Sequence, residues 1–254
     1  MTRLDVLISK KLNISRDMAK NLIINGKVTV NNIIALKPGK LYSALLNYNV
    51  ELPSTKYVSR GGYKLESAIS NFNISVKNTI CLDIGSSTGG FTDCLLQHGA
   101  KIIYAVDVGS NQLNKSIKNN PQIVSLENTD IRNLNLPLKS DIVTVDVSFI
   151  SLTLVLPKVF TLLKHNAYCI ALIKPQFEAG KKFLNKKGII TNPSAHKMVL
   201  KKIEAFANNI GLEVLGNMQS PIVGKEGNIE FFCCLKKPLI NTVDCKARGV
   251  NIIL

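Results

Sequence analysis

The amino-acid sequence predicts an α/β protein in which a small N-terminal α/β unit precedes a doubly wound, Rossmann-like domain. From residue 79 onward, continuous apolar stretches of strand length alternate with helical patterns, which favours a mostly parallel sheet covered on both faces. Before residue 61 the composition differs, because ten Lys and Arg against three Asp and Glu give +7 of the net +15 carried by 254 residues. We therefore expect a small basic unit over residues 1–58, a linker over 59–63 and the larger domain over 64–254.

The first unit is predicted to contain two helices, a strand and turns. Apolar residues near its start recur at helical spacing, and Ser15 is a suitable N-cap for a second helix over residues 16–23. Asn25-Gly26 is expected to end that helix, and residues 27–32 are typical of a strand followed by a turn.

The larger domain shows the alternation of strands and helices in full. The predicted strands are Thr79–Ile84, Lys101–Val106, Ile123–Glu127, Asp141–Val147, Ala167–Ile173 and Glu230–Leu235. The predicted helices are Tyr63–Asn71, Gly90–Gln97, Asn111–Lys118, Leu152–Leu163 and Ser194–Ile210.

The amino-acid composition argues against a membrane or secreted protein and against a metal site or disulfide framework. No stretch is long and apolar enough to span a membrane, and the first residues lack a secretory signal, so we expect a cytoplasmic protein without membrane association. The six cysteines form no C-x-x-C pair, which argues against a metal site or a disulfide framework. The charge of +15 favours a polyanionic partner, although a lysine-rich genome would produce the same excess.

A glycine-rich bend after the first strand of the larger domain predicts a cofactor site. In LDIGSSTGGFT the order is Asp83, Gly85, Gly89 and Gly90, which differs from the G-x-G-x-x-G of dinucleotide-binding folds. Glycine allows a ligand to approach the backbone, and the following helix begins with free N–H donors. An acid at this bend would repel a pyrophosphate but suit the amino group of a methionine moiety, which favours S-adenosylmethionine (SAM) over a nicotinamide cofactor.

Two further acids follow strands at the same predicted sheet edge. Asp107 ends the second strand and is suited to accept hydrogen bonds from two ribose hydroxyls. Asp130 follows the third strand, where it could contact the adenine amine. The alternative for both is a capping or turn aspartate, and for Asp130 the sequence favours neither interpretation.

Four charged residues are candidates for chemistry. Asp146 ends the fourth strand and Lys174 the fifth, and we expect both strands to lie beside the cofactor strand, so that both side chains reach the transferred methyl group. Lys64 on the preceding helix and Glu230 at the start of the last strand complete the set. Two lysines and two acids would suit a ribose 2′-hydroxyl as the methyl acceptor. This hydroxyl is a weak nucleophile, and its attack requires removal of the proton and alignment of the oxygen.

Competing methyl-transfer chemistries have signatures that this chain lacks. Adenine or cytosine N-methylation commonly uses an Asp/Asn-Pro-Pro-aromatic turn after the fourth strand, where this chain has Asp146-Val147-Ser148-Phe149. Cytosine C5 methylation needs a cysteine nucleophile, and Cys169 lies inside its predicted strand. A salt bridge at the sheet edge remains the structural alternative for Asp146 and Lys174.

With these motifs the chain resembles the TlyA family of ribosomal RNA 2′-O-methyltransferases, historically called haemolysins. The resemblance rests on SRGGYKLE, LDIGSSTGGFT, DVGSNQL, DVSFISL, KPQFEAGK and GKEGNIEFF. Residues 3–58 resemble the small RNA-binding domain named after small-subunit ribosomal protein four. The related FtsJ-type enzymes use a Lys-Asp-Lys-Glu tetrad, which the resemblance places at Lys64, Asp146, Lys174 and Glu230.

The resemblance also implies a substrate and binding residues. It implies SAM-dependent methylation of cytidine riboses in large-subunit rRNA and, in some members, also in small-subunit rRNA, by a class I methyltransferase that we expect to be monomeric. It adds Ser86, Ser87, Thr88 and Phe91 to the SAM-binding loop. Basic residues expected to grip RNA phosphates are Arg3, Arg16, Lys20, Lys27 and Arg60. The alternatives are a non-catalytic RNA-binding or ribosome-assembly factor and a membrane-active haemolysin.

The glycines of the predicted linker suggest a coupling role. Gly61 and Gly62 stand between the two units, just before Lys64. We therefore expect the junction to link RNA docking to SAM binding.

Overall fold

The protein is described by a computed structural model that covers residues 1–12, 14–24, 26–43, 48–50, 56–224 and 227–239. The chain divides into two compact units, Met1–Lys56 and Tyr57–Leu254. Tyr57 is buried in the core of the second unit. That unit therefore starts before residue 64, because this aromatic ring belongs to its packing.

The first unit packs two short helices against small antiparallel sheets. Its core contains Leu4 and Ile8 from one helix and Leu22 and Ile23 from the other. The predicted cap is present, since Ser15 Oγ accepts the N–H of Met18, whereas Asn25 lies outside the described residues. The elements are β1 (Thr2–Arg3), α1 (Leu4–Leu12), α2 (Arg16–Ile24), β2 (Val28–Val30), β3 (Ile33–Ile34), β4 (Leu41–Tyr42) and β5 (Tyr48–Val50).

The second unit alternates strands and helices, as the sequence predicted. Its helices are α3 (Arg60–Asn71), α4 (Gly90–Gln97), α5 (Lys115–Lys118), α6 (Leu152–Leu162), α7 (Pro175–Glu178) and α8 (Pro193–Asn209). Its strands are β6 (Ile80–Ile84), β7 (Ile102–Val106), β8 (Ile123–Leu126), β9 (Ser140–Val145), β10 (Leu163–Ile173), β11 (Glu213–Gln219) and β12 (Phe231–Lys236).

These strands form a seven-stranded sheet within the described residues, in the order β11-β12-β10-β9-β6-β7-β8. The five strands β10, β9, β6, β7 and β8 are parallel. Strand β12 runs antiparallel to both of its neighbours, β10 and β11. Apolar clusters cover both faces of the sheet, so the doubly wound α/β class is confirmed. One expectation is wrong: β9 lies beside the cofactor strand β6, but β10 is one strand further away.

The expected linker at residues 59–63 is instead the start of a helix. Ser59 is the N-cap of α3, which begins at Arg60. A Cβ on Gly62 would collide with the ring of Tyr57, and one on Gly90 would collide with Ser59 Oγ. Gly62 and Gly90 are therefore needed for close packing of α3, and the structure gives Gly62 no hinge geometry.

Two other elements depart from the prediction for local reasons. The helix expected at Asn111–Lys118 shrinks to α5, because the carboxylate of Glu127 accepts the backbone N–H groups of Asn111, Gln112 and Leu113. Strand β11 was not predicted, since it is partly polar, lies at the sheet edge and contains Gly216.

Candidate active site

The bend after β6 brings the backbone of the cofactor loop against the end of β9. Ile84 pairs with Val145, so Gly85 and Asp146 leave the sheet side by side. Gly85 has φ +79°, and a Cβ at this position would collide with the carbonyl oxygen of Asp146. Its N–H donates to the carbonyl of Val106 at 2.8 Å. Glycine is required here on both counts, because a side chain would strain the backbone and push the two strands apart.

Two adjoining cavities open at this edge. The smaller, about 350 Å³, contains the N-terminal ends of α3 and α4 and the charged groups at the ends of the strands. The larger, about 450 Å³, lies over the ends of β7 and β8. Gly85, Ser87 and Asp146 line both, so the two cavities form one continuous site.

All four predicted catalytic residues line the smaller cavity. Lys174 Nζ lies 2.7 Å from Asp146 Oδ1, as an ion pair without hydrogen-bond geometry, and donates to Ser148 Oγ at 2.8 Å. Lys64 Nζ donates to Glu230 Oε2 at 2.5 Å, and both side chains are almost fully buried. The cavity therefore holds two cation–carboxylate pairs in place of isolated charges.

The sheet register explains why Glu230 joins Lys174. Ile173, the last residue of β10, pairs with Phe231, the first residue of the antiparallel β12. The residue after one strand and the residue before the other therefore emerge at the same edge. The carbonyl of Glu230 also accepts the N–H of Ser220, which fixes the backbone at this point.

Glu178 supports the site from outside the two cavities, and the sequence analysis missed it. It lies one helical turn after Lys174, and its side chain is 2% exposed. Its carboxylate accepts hydrogen bonds from the N–H of Leu152 and the hydroxyl of Ser151, both at 2.7 Å, and pairs with Lys202 at 3.2 Å. Glu178 thus caps α6 and ties the helix after Lys174 to the loop after Asp146. The available signal was an acid inside the otherwise neutral run PQFEAG.

Asp83, predicted to contact the cofactor, is in fact fully buried and lines neither cavity. Its carboxylate accepts the hydroxyl protons of Thr92 at 2.6 Å and Thr144 at 2.8 Å. Burial raises its pKa to about 6. Because successive strand residues point to opposite faces, position alone could not show that this carboxylate turns inward. Through these hydrogen bonds, Asp83 connects α4 and β9 to the cofactor strand β6.

Asp107 and Asp130 both line the larger cavity. Asp107 accepts the N–H of Ser87 at 2.8 Å and of Gly109 at 2.7 Å, one on each oxygen. Asp130 is paired with Arg132 at 2.6 Å, and hydrogen bonding by this guanidinium lowers the pKa of Asp130. Glu127, which was missed, holds the loop after β7 through backbone N–H groups, and the bond from Asn111 is the main cause of its lowered pKa.

Phe149 is a third residue to which the sequence analysis assigned no role. Its ring is 91% exposed at the rim of the larger cavity, and its φ is +63°. The ring packs against Phe177 of α7 at a centroid distance of 5.0 Å. A bulky residue with positive φ is rare and is usually found at functional sites.

The residues predicted to bind RNA are divided between the two units. In the first unit Arg3 and Arg16 both donate to the buried carboxylate of Asp5, and the bond from Arg3 is the main reason why the pKa of Asp5 falls to about 2. Lys20 pairs with Asp17 at 2.9 Å, and Lys27 is exposed. Arg60 belongs to the second unit and lines the smaller cavity, so it is not part of the N-terminal basic group.

The part of the chain that the structure describes contains neither a metal-binding cluster nor a membrane-spanning helix. No group of three or more His, Cys, Asp or Glu residues there has the arrangement of a metal site. None of the described helices is long and apolar enough to cross a membrane.

Comparison with known proteins identifies both units. The family described as FtsJ-like methyltransferase matches residues 57–237, and the S4 domain matches residues 2–44. A Bacillus subtilis protein, YqxC, named as a candidate rRNA methyltransferase, is 46% identical over 244 residues, covering 93% of this chain and 86% of that protein. The 16S/23S rRNA (cytidine-2′-O)-methyltransferase TlyA of Mycobacterium tuberculosis is 38% identical over 234 residues, with coverage of 91% and 87%.

A solved structure is also similar to this chain in both fold and sequence. A Streptococcus thermophilus protein described as a candidate hemolysin has a TM-score of 0.74 and 41% identity, covering 93% of this chain and 88% of that chain. The fold and the site thus define an FtsJ-like methyltransferase. Within that class, the chain belongs to the TlyA family, whose S4 domain it carries at its N-terminus.

Proposed function

We propose that this enzyme transfers a methyl group from SAM to the 2′-hydroxyl of a cytidine ribose in ribosomal RNA. The observation that carries the proposal is the smaller cavity, in which Lys174–Asp146 and Lys64–Glu230 lie beside the glycine bend. The names of the M. tuberculosis and B. subtilis relatives support rRNA as the substrate. The S4 domain supports an RNA partner.

The residues around the larger cavity fit SAM. Each oxygen of Asp107 accepts one backbone N–H and has a lone pair left for a ribose hydroxyl. Val108 and Phe149 are exposed apolar side chains that line this cavity and suit a flat aromatic base. The cofactor would be held by Asp107, Asp130 and the loop Gly85–Phe91, with Asp83 supporting that loop from behind. When bound, SAM supplies an electrophilic methyl group on a sulfonium.

The two charged pairs are the groups that this protein contributes to the proposed reaction. As the 2′-hydroxyl oxygen attacks the methyl carbon, its proton is expected to pass to the nitrogen of Lys174, after the ammonium group of this lysine has released a proton to solvent. Asp146 and Ser148 hold the nitrogen of Lys174 at a fixed position, and Glu230 holds Lys64 in the same cavity. Fixed partners restrict the geometry of the hydroxyl, and such alignment supplies much of the rate enhancement in transfer reactions.

The substitution Lys174→Ala tests the role of this residue. We expect methyl transfer to rRNA to fall at least about 100-fold, which is the lower range for loss of a general base, while SAM affinity measured by calorimetry changes little. Lys139→Ala is the matched control, because this lysine precedes β9 at the opposite sheet edge. Turnover by Lys174→Ala at the wild-type rate would show that the assigned role is wrong.

The alternative of a non-catalytic RNA-binding factor makes a different prediction. Such a protein would not bind SAM in the calorimetric titration of the unmodified chain. Mapping methylated riboses in rRNA from cells with and without the gene would then identify the nucleotide and the ribosomal subunit.

A further inference from the structure

A lysine-rich segment follows the active-site helix α7 and carries no acidic residue. Residues 179–203 contain seven lysines, and no Asp or Glu occurs between Glu178 and Glu204. Four of these lysines, Lys181, Lys182, Lys186 and Lys187, occur within seven residues, and all four are exposed. We call residues 181–187 the lysine segment. Its positive charge is not compensated by neighbours in sequence.

The lysine segment is anchored on the Lys174 side and on the Glu230 side of the site. It starts seven residues after Lys174. At its other end, the buried side chain of Asn228 accepts the N–H of Ile190 at 3.0 Å and donates to the carbonyl of Gly188 at 3.1 Å. Asn228 is two residues from Glu230, so the segment is fixed close to two of the catalytic residues.

The backbone of the lysine segment is also ordered internally. Asn185 Oδ1 accepts the N–H groups of Lys187 at 2.8 Å and Ile189 at 3.0 Å. These bonds form a tight turn that presents Lys186 and Lys187 together. A surface whose backbone is already fixed loses less conformational entropy on binding than a flexible loop.

The charges of the segment have no acidic partner among the described residues. The ion pairs formed there by basic residues do not include Lys181, Lys182, Lys186 or Lys187. Lys182 instead lies over the ring of Phe183, 5.1 Å from its centroid. Lysines held close together without carboxylates repel one another and favour an anionic partner.

We propose that the lysine segment binds the phosphate backbone of the RNA next to the nucleotide that enters the catalytic cavity. This inference rests on the proposed function and extends it, because it gives the methyltransferase unit its own RNA contact, separate from the S4 domain. Phosphates are favoured over an acidic protein surface because the segment is anchored beside the residues proposed to act on a ribose. A chain of phosphates passes on both sides of any such ribose.

The test compares two triple variants of the full-length protein with equal change in charge. The first is Lys181→Gln, Lys186→Gln and Lys187→Gln. The control is Lys77→Gln, Lys101→Gln and Lys139→Gln, which changes exposed lysines that precede β6, β7 and β9 at the opposite sheet edge. Binding to protein-free rRNA is measured by fluorescence anisotropy over a range of salt concentrations, and SAM binding is measured by calorimetry.

We expect the segment variant to bind rRNA at least about tenfold more weakly at ~0.15 M salt than the control variant. Its log–log salt dependence should be shallower by about 2 to 3, since each phosphate contact contributes about 0.7 to 0.9 to the slope. SAM affinity should match the wild type. Equal losses in the two variants would mean that total charge alone matters, and the proposal would be overturned.

Two other outcomes would also be decisive. If the segment variant binds protein-free rRNA normally but loses affinity for an assembled ribosomal subunit, the partner is a protein surface and the proposal is wrong. If the wild type binds rRNA with the expected dependence on the segment but transfers no methyl group to it, the proposed function fails while the docking surface stands.

Discussion

Asp83 shows how a single buried carboxylate organises the cofactor loop without touching the cavity. Two threonine hydroxyls, from α4 and from β9, point at its oxygens. Burial disfavours the charged form, and the hydrogen bonds compensate for part of that penalty. The charge state of this group is therefore linked to the stability of the fold around the bend.

The raised pKa of Asp83 predicts a pH-dependent stability. Its folded value of about 6 exceeds the ordinary 3.8, so the folded protein retains the proton more tightly than the unfolded chain. The free energy of unfolding should thus decrease as pH rises from about 4 to about 6, by roughly 3 kcal/mol in total. Asp83→Asn should remove this decrease, as measured by urea unfolding followed by circular dichroism.

A second variant tests the same cause in the opposite direction. Thr144→Val removes a hydrogen bond that lowers the pKa of Asp83, so its stability should continue to decrease to a higher pH than in the wild type. If Asp83→Asn and wild type show the same pH slope between 4 and 6, the carboxylate does not titrate in this range and the assignment fails.

At the scale of secondary-structure elements, direct contacts hold the loop after β9 against α7, the helix after β10. Three contacts connect them: the ion pair of Lys174 with Asp146, the ring contact of Phe149 with Phe177, and the carboxylate of Glu178 on the first turn of α6. The first contact joins two residues of the proposed catalytic set, and the other two hold together the segments that carry them. Side chains 1 Å out of place can cost two orders of magnitude in rate.

Glu178→Gln should weaken this connection without removing a residue of the cavity. Glutamine keeps one oxygen for the N–H of Leu152, but its NH2 group reverses the hydrogen bond with Ser151 and cannot accept one from Lys202. We expect kcat for rRNA methylation to fall about tenfold, while the dissociation constant of SAM stays within about twofold. Steady-state kinetics and calorimetry measure the two quantities.

The matched control is Glu204→Gln, which alters another helical carboxylate that accepts a hydrogen bond, in that case from Asn217. It should leave kcat unchanged. A lower melting temperature for Glu178→Gln with a wild-type kcat would reduce Glu178 to a stabilising residue with no influence on catalysis.

At the scale of the whole molecule, each unit has its own hydrophobic core and its own buried carboxylate. In the first unit Asp5 is enclosed by Arg3 and Arg16, and its pKa of about 2 lies below the ordinary 3.8. A lowered acid pKa stabilises the folded state above about pH 4, and this contribution disappears as pH falls toward 2.

Asp5→Asn should therefore destabilise the first unit near neutral pH and much less near pH 2. Hydrogen exchange read by mass spectrometry should become faster in α1 and α2, whereas β6 and β7 should keep their protection. Asp17→Asn, which breaks the exposed pair with Lys20, should have little effect, because surface pairs contribute about 0 to 1 kcal/mol. Equal acceleration in both units would contradict this prediction.

Much of this organisation could be predicted from the sequence because strand ends carry the motifs. The parallel strands, the glycine bend and the positions of Asp146 and Lys174 all follow from apolar runs that stop at polar residues. The register that sets Glu230 beside Lys174 could not be predicted in the same way, since it depends on β12 running opposite to its neighbours β10 and β11. The roles of Glu178 and Glu127 depend on partners distant in sequence.

The glycines near residue 60 show most clearly what could not be predicted from the sequence alone. In sequence, Gly61-Gly62 is typical of a flexible junction, whereas in the structure Gly62 lies in the first turn of α3 with no space for a side chain against Tyr57. Flexibility and close packing both select glycine, and only three-dimensional contacts distinguish the two.

The late position of Glu230 and β12 in the sequence has a consequence for when the site is completed during synthesis. Synthesis proceeds from the N-terminus, so the carboxylate that pairs with Lys64 is translated 166 residues after its partner. A growing chain that has already completed the glycine bend still lacks this group until the final strands leave the exit tunnel. Because Glu230 belongs to the proposed catalytic set, we expect a nascent chain to transfer no methyl group until these strands have emerged.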